Sequence, residues 1–212
     1  MALIGLLAFW AGLLIAARKY PSEYDWRYMT ISTLVYPERN PDGYRWAWIG
    51  LTLCGLGGLG WTPMLLRDWR HQAGGRRPVG IWALGAGYLC MVACAWLPGL
   101  FPRVPKGHDL LALMSFFGLC IGIVLVTSHE VGRRLRLRLF AALLAGAALM
   151  PILMAALTQA YISKVFPDLP WVGLEWRARG APVYLSFAFW EWATCAIFSG
   201  YTASLCFATM RI

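Results

Sequence analysis

Long apolar runs separated by short polar connections are the main pattern along this chain of 212 residues. A helix needs about 20 mostly apolar residues to cross a bilayer, and these runs are too long and too uniformly apolar for the strands of a membrane barrel. The pattern predicts an all-α, polytopic membrane protein, a six-transmembrane-helix bundle that forms one integral membrane domain. The predicted spans cover residues 2–17, 46–66, 79–101, 108–128, 139–162 and 182–210.

Small residues within these runs predict where the helices approach one another closely. Glycines are frequent in the second and third spans, and the fourth contains a GxxxG pair at Gly118 and Gly122. Helices in lipid pack through such positions because a missing side chain lets two backbones come together.

Composition supports a bilayer environment. The chain is 59% hydrophobic and 14% charged, too few polar side chains to cover a soluble globule. The formal net charge of +9 comes largely from basic residues near the predicted helix ends, where they face anionic lipid headgroups. We therefore expect membrane lipids as partners, with other membrane protein subunits as a second class, and no nucleic acid.

Charge also predicts the orientation. Two connections are short and strongly basic, RDWRHQAGGRRP at residues 67–78 and HEVGRRLRLR at residues 129–138, and the positive-inside rule places them in the cytoplasm. Both termini are then cytoplasmic, and residues 18–45, 102–107 and 163–181 form outer loops. The first run lacks a basic segment before it, and Arg18 and Lys19 follow it, which favours a retained span over a signal peptide. The predicted location is the inner (plasma) membrane.

Several chemistries lack the residues they need. His108 and His129 are roughly 30 Å apart along one helix, too far to clamp a haem, and no lysine lies within a predicted span to form a retinal Schiff base. No GxSxG, HExxH or Walker A motif is present. Cys90 and Cys94 share a helix face without further ligands nearby in sequence, so we predict no metal site. The sequence specifies no cofactor and leaves open whether the protein is an enzyme.

The remaining polar candidates lie on the predicted outer side and in the last span. Asp25, Arg27 and Ser32 belong to the first outer loop, while His108 and Asp109 begin the fourth span. If the loop folds back over the bundle, these groups meet in one shallow cavity that binds a lipid or other amphiphile. In the alternative interpretation, His108 and Asp109 only cap their helix, with the aspartate at the positive helix end.

Glu191, in SFAFWEWATC, lies within the sixth predicted span, about a third of the way across the membrane. A carboxyl group in lipid is energetically costly and is usually partnered or functional. The alternatives are a hydrogen-bonded packing residue, an ion pair with an outer-loop arginine, or a group facing the same cavity as His108.

The first outer loop combines two local patterns. Asn40-Pro41-Asp42-Gly43 predicts a turn into the second span, with Gly43 at a positive-φ position. The preceding segment YMTISTLVY fits either a short strand or an amphipathic helix at the membrane interface.

The layout resembles a prokaryotic six-span family, the domain of unknown function 998. A short first span, a loop with Tyr24-Asp25 and Ile31-Ser32, a glycine-rich second span, the Phe101-Pro102 turn and then His108 carry the resemblance. That family is similar in layout to the FRAG/DRAM/SFK group, which implies work on lipids. This chain departs from the family pattern at three positions. Thr33 and Arg103 stand where the family commonly has an acidic residue, and Trp192 stands where it tends to have an arginine.

These observations lead to three functional hypotheses. The first is binding of a lipid or amphiphile near the extracytoplasmic face by Asp25, Arg27, Ser32, His108, Asp109 and Glu191. The second is an accessory subunit of a larger membrane complex. The third is a lipid-directed hydrolase or transferase in which His108 acts with Asp25 or Asp109 as acid and base.

Overall fold

The computed structural model describes residues 1–70, 77–100, 105–130, 135–167 and 174–209. Parts of the predicted connections lie outside the described residues, among them the Phe101-Pro102 turn, Arg103 and the basic residues Arg76, Arg133 and Arg134.

The described chain is helical throughout its regular structure. Its elements are α1 (Ala2–Arg18), α2 (Ile31–Val35), α3 (Tyr44–Arg70), α4 (Arg77–Leu100), α5 (Pro105–Glu130), α6 (Leu135–Val165), α7 (Glu175–Ala178), a 3₁₀ turn (Val183–Leu185) and α8 (Phe187–Thr209). The prediction of an all-α bundle is confirmed, and each predicted span contains one long helix. The long helices other than α1 begin two to five residues away from the predicted starts of their spans. α5 begins at Pro105, whose ring suits a first helical position, and α8 begins only after Pro182 and the 3₁₀ turn.

Among the described residues, three segments are long and apolar enough to cross a membrane, Tyr44–Arg67, Val79–Leu97 and Gly107–Thr127, and two shorter apolar helices cover Ala2–Arg18 and Leu149–Val165. Large apolar side chains also cover the outside of the bundle. On α5 they form a stripe with helical spacing, in which each residue is about half exposed: Leu110, Leu113, Met114, Phe117 and Ile121. Such a surface is stable against lipid tails and unstable in water, so the chain is an integral membrane protein.

Glycines allow two helix pairs to pack backbone against backbone. Between α1 and α3, a Cβ atom added to Gly12 would lie 2.5 Å from the carbonyl oxygen of Trp46 and 2.9 Å from Cα of Gly50. Between α4 and α5, a Cβ atom on Gly118 would lie 2.8 Å from Cα of Gly87. These two seams join the first four long helices in pairs, as the small residues predict.

The predicted first outer loop folds into the bundle. Its helix α2 buries Ile31, Leu34 and Val35 in a core cluster shared with α1 and α3. Asn40 is fully buried, and its side-chain Nδ2 donates to the carbonyl oxygens of Ala16 at 3.1 Å and Leu34 at 3.3 Å. A single amide therefore ties the end of α1 to the end of α2.

The turn at residues 40–43 exists, but the reason predicted for its glycine is wrong. Gly180 is the one glycine with positive φ among the described residues, so Gly43 does not use that conformation. A Cβ atom at Gly43 would instead lie 2.5 Å from Oδ1 of Asn40 and 2.7 Å from the carbonyl oxygen of Ala16. Gly43 is required by the close approach of the chain to the end of α1.

Candidate functional site

The segment before α2 is held against α8 by hydrogen bonds to its backbone. The hydroxyl of Tyr24 donates to the carbonyl oxygens of Met29 and Thr30, each at 3.0 Å. The indole Nε1 of Trp192, on α8, donates to the same Met29 oxygen at 3.1 Å. Because carbonyl oxygens can accept two bonds each, these contacts fix the path of the chain without regular structure. They bring α2 over the space between the helices.

His108 is the centre of the polar contacts in that space. It is 2% exposed and lies in the first turn of α5. Its Nδ1 is 3.0 Å from the carbonyl oxygen of Cys94 on α4, and its Nε2 is 3.1 Å from Oγ of Ser32 on α2. A carbonyl oxygen can only accept, so Nδ1 carries the proton, and in a neutral imidazole Nε2 then accepts the Ser32 hydroxyl proton. The ring therefore connects α4, α5 and α2.

Glu191 approaches the same helix from the other side. Glu191 is 9% exposed, and its Oε2 accepts a hydrogen bond of 3.0 Å from the backbone N–H of Ile31. That N–H is in the first turn of α2, where no intrahelical acceptor exists for it. The carboxyl group thus satisfies a buried donor and attaches α8 to α2.

Ser32, His108 and Glu191 line one cavity of the bundle, with a volume of about 80 Å³. Its remaining wall is mostly apolar and comes from five long helices, with Phe9, Leu51, Met91, Phe116, Leu119 and Phe198 among its residues. A water molecule needs about 10–15 Å³ of such space, so the cavity has room for a small polar group and a few more atoms. A few hydrogen-bonding side chains on a mostly apolar wall are typical of a binding site for an amphiphile.

Asp25 and Arg27 lie apart from these three residues and bind each other. The guanidinium Nε and Nη2 of Arg27 donate to the two carboxylate oxygens of Asp25, both at 2.8 Å. These hydrogen bonds lower the pKa of Asp25 below its ordinary value. Arg177 approaches the pair, with Nη1 at 3.5 Å from Asp25 and 2.7 Å from Glu23. The cluster joins the first loop to the loop before α8 at the surface of the bundle.

Asp109 is exposed at the start of α5, next to the buried His108. The six candidates therefore divide into three groups. Ser32, His108 and Glu191 share the cavity, Asp25 and Arg27 form an ion pair that is not part of its wall, and Asp109 is exposed. The predicted use of Asp25 or Asp109 as a partner of His108 has no support in the described hydrogen bonds of that ring, which go to Ser32 and Cys94.

Two residues at this site had no functional assignment from sequence. Cys94 contributes its backbone carbonyl to His108, and any residue type could do this, so no sequence signal marks it. The ring of Tyr36 packs edge-on against His108 with 5.2 Å between ring centroids. Tyr36 lies one residue after α2, so its contact with His108 could be predicted only if this segment was known to be helical. Among the described residues, no group of three or more His, Cys, Asp or Glu side chains is placed to hold a metal ion.

Comparison with known proteins agrees with the resemblance carried by the loop and His108. The sequence profile of a family described as proteins of unknown function, DUF998, matches residues 3–193. The chain belongs to the DUF998 family. The matched DUF998 region includes all three cavity residues, Ser32, His108 and Glu191. Searches of curated proteins and of solved structures gave no match.

Proposed function

We propose that this protein binds a lipid or other amphiphile, with the polar group of that molecule held by Ser32, His108 and Glu191. The supporting observation is the cavity itself, where these three side chains come from three different helices and the rest of the wall is mostly apolar, with Tyr88, Ser115, Ser199 and Thr202 as its other hydroxyl-bearing residues. A binding role explains why the first loop is packed inside the bundle. Its α2 supplies Ile31, Ser32 and Val35 to the cavity wall.

The proposal is tested by the lipid content of the purified protein. The wild type, His108→Ala and Glu191→Gln are extracted in mild detergent, and the copurified lipids are quantified by mass spectrometry against the whole membrane. We expect one lipid class to be enriched with the wild type and to fall at least threefold in both variants. His108→Ala removes a polar contact to the ligand, and Glu191→Gln replaces the carboxyl oxygen that is not bonded to Ile31 with an amide nitrogen.

Ser204→Ala is a matched control, because this exposed α8 hydroxyl bonds only to its own helix at Gly200 and is not among the cavity residues. It should retain the wild-type lipid content. An identical lipid profile for the wild type and for both cavity variants, each with a normal unfolding temperature, would refute binding at this site. Stoichiometric recovery of a protein partner with no enriched lipid would favour the accessory-subunit hypothesis instead.

A second candidate function, acyl transfer from a lipid ester, is favoured by the Ser32–His108 contact. Ser32 Oγ would attack the ester carbonyl carbon while His108 Nε2 takes its proton. The bond to the leaving alcohol then breaks, the alcohol receives that proton from His108, and the acyl group remains on Ser32. Water or a second alcohol would complete hydrolysis or transfer. The carbonyl of Cys94 orients the ring, as the third group does in other serine–histidine pairs.

This candidate predicts a reactive serine. A lipophilic fluorophosphonate should label Ser32 in the wild type, and labelling should be lost in Ser32→Ala and reduced at least tenfold in His108→Ala. Digestion and mass spectrometry would locate the adduct. Absence of labelling in protein that retains its enriched lipid would exclude nucleophilic chemistry and leave the binding role.

A further inference from the structure

A second space opens on the side of the bundle, between α5, α6 and α8. This groove has a volume of about 460 Å³ and is lined mainly by apolar residues, among them Leu113, Phe116, Phe117, Ile152, Ala155 and Phe187. The opposite side of α5 has no such space, because Gly118 meets Gly87 of α4 backbone to backbone. The groove faces the bilayer, since its lining residues Leu113 and Phe117 are 51% and 47% exposed.

One polar residue of α6 lines this groove without a hydrogen bond. Gln159 is 8% exposed, and both its Nε2 and its Oε1 are buried without a partner. A buried amide that makes no hydrogen bonds costs several kcal/mol, and such groups in native structures usually indicate a missing water or ligand. A groove that opens to lipid favours a ligand from the bilayer.

The groove is next to the cavity described above. Glu191 lines both spaces, as does Phe116. The cavity is too small for an acyl chain, whereas the groove has the size of typical sites for apolar ligands. An amphiphile whose polar end lies at Ser32 and His108 would therefore extend past Glu191 and place its chain between α5 and α6.

We infer that this groove holds the acyl chain of an amide-linked membrane lipid, and that Gln159 binds the amide. The inference rests on the proposed function, because it takes the polar end of the same molecule to be in the cavity. Its chemical basis is complementarity. A glutamine side chain presents a donor and an acceptor, and a secondary amide offers an acceptor and a donor in return. An ester offers acceptors alone and would leave Oε1 of Gln159 unsatisfied.

The test compares two photoreactive probes that differ in this group alone, the N-methyl amide and the methyl ester of one diazirine-bearing palmitic acid. The protein in nanodiscs is irradiated with each probe, and the adducts are mapped by peptide mass spectrometry. We expect both probes to label peptides of α5, α6 and α8 at the groove, with the amide about fivefold stronger, the ratio that one net hydrogen bond typically gives. In Gln159→Leu this preference should disappear.

Leu157→Ala is the matched control, because Leu157 is exposed on the same helix and is not among the groove residues. It should keep the wild-type preference. Equal labelling by both probes in the wild type, labelling confined to other surfaces, or a preference that survives in folded Gln159→Leu would overturn the inference. The lipid content of His108→Ala separates the two proposals. If His108→Ala loses the enriched lipid but Gln159→Leu keeps the preference for the amide probe, binding in the cavity stands and the groove inference is refuted.

Discussion

Ser32 Oγ lies 3.1 Å from Nε2 of His108, although 76 residues separate the two in the sequence. The contact joins the short helix α2 to the first turn of α5. It closes the cavity on its outer side, because α2 reaches the cavity through this hydroxyl and through the bond from Ile31 to Glu191.

The Ser32–His108 hydrogen bond should appear as a coupling energy. In a double-mutant cycle of Ser32→Ala and His108→Ala, we expect the two losses in unfolding free energy to differ from additivity by about 0.5–3 kcal/mol, as residues in direct contact do. Unfolding in mixed micelles by increasing SDS, followed by circular dichroism, would measure it. A cycle of His108→Ala with Ser204→Ala should be additive, because Ser204 bonds to Gly200 instead. Additivity in both cycles would show that the contact contributes no coupling free energy to stability.

Removal of the Glu191 carboxyl group should release the start of α2. Glu191→Leu leaves the buried N–H of Ile31 without its acceptor, at a cost of about 1–3 kcal/mol. Hydrogen exchange of that amide should accelerate by roughly 5- to 150-fold if opening becomes easier by this amount. Glu191→Gln keeps a carbonyl oxygen of the same size in place and should exchange nearly as slowly as the wild type. Equal acceleration in both variants would argue against this hydrogen bond.

The Asp25–Arg27 pair should make stability depend on pH. Because these hydrogen bonds lower the pKa of Asp25 in the folded protein, its contribution is complete above the unfolded value of about 3.9 and is lost as the pH falls through the lower folded value. The melting temperature of the wild type should exceed that of Asp25→Asn at neutral pH, and the difference should shrink in acid. Asp42→Asn, at an exposed aspartate of the same loop, provides the comparison. A difference that is the same at neutral pH and at about pH 3 would contradict the assignment.

The seam between α1 and α3 should not tolerate a methyl group. In Gly12→Ala the new Cβ would lie 2.5 Å from the carbonyl oxygen of Trp46, so the helices must separate, at about 1–3 kcal/mol. Gly146→Ala is the matched control on α6, where nothing lies within 4 Å of the added atom. It should leave the melting temperature unchanged or raise it, because alanine is the better helix former. Similar losses in the two variants would show that close packing is not the cause.

The helices were predictable because lipid leaves the backbone few alternatives. A run of apolar residues long enough to span must form a helix, so hydrophobicity alone located α1, α3, α4, α5, α6 and α8. Their ends were less predictable. Pro182 allows a 3₁₀ turn before α8, and the residues of that turn are as apolar as those of a span. The close contact between α4 and α5 also followed from the glycines of the third and fourth spans, whereas the sequence had not singled out Gly12 on α1.

The conformation of the first loop could not be predicted from its own residues. YMTISTLVY fits two structures equally, and the helical one is stabilised by groups far away in sequence, namely Glu191 and His108. Glu191 was a candidate because a carboxyl group within a span is costly, and Ser32 and His108 were candidates because both lie on the predicted outer side. The sequence could not show that Asp25 and Arg27 bind each other and do not join the cavity residues, because their bidentate ion pair depends on the backbone geometry at residues 25–27. Gln159 was missed because a single amide in an alanine-rich helix gives a weak signal.

The position of Glu191 between the cavity and the groove makes the two spaces interdependent. A ligand in the cavity that moves or hydrogen-bonds this carboxyl group changes one wall of the groove. Thermodynamic linkage then requires that a ligand in the groove alters the affinity of the cavity by the same factor. The two halves of a bound amphiphile would thus be energetically coupled, and a molecule that has only one of the halves would show none of that coupling.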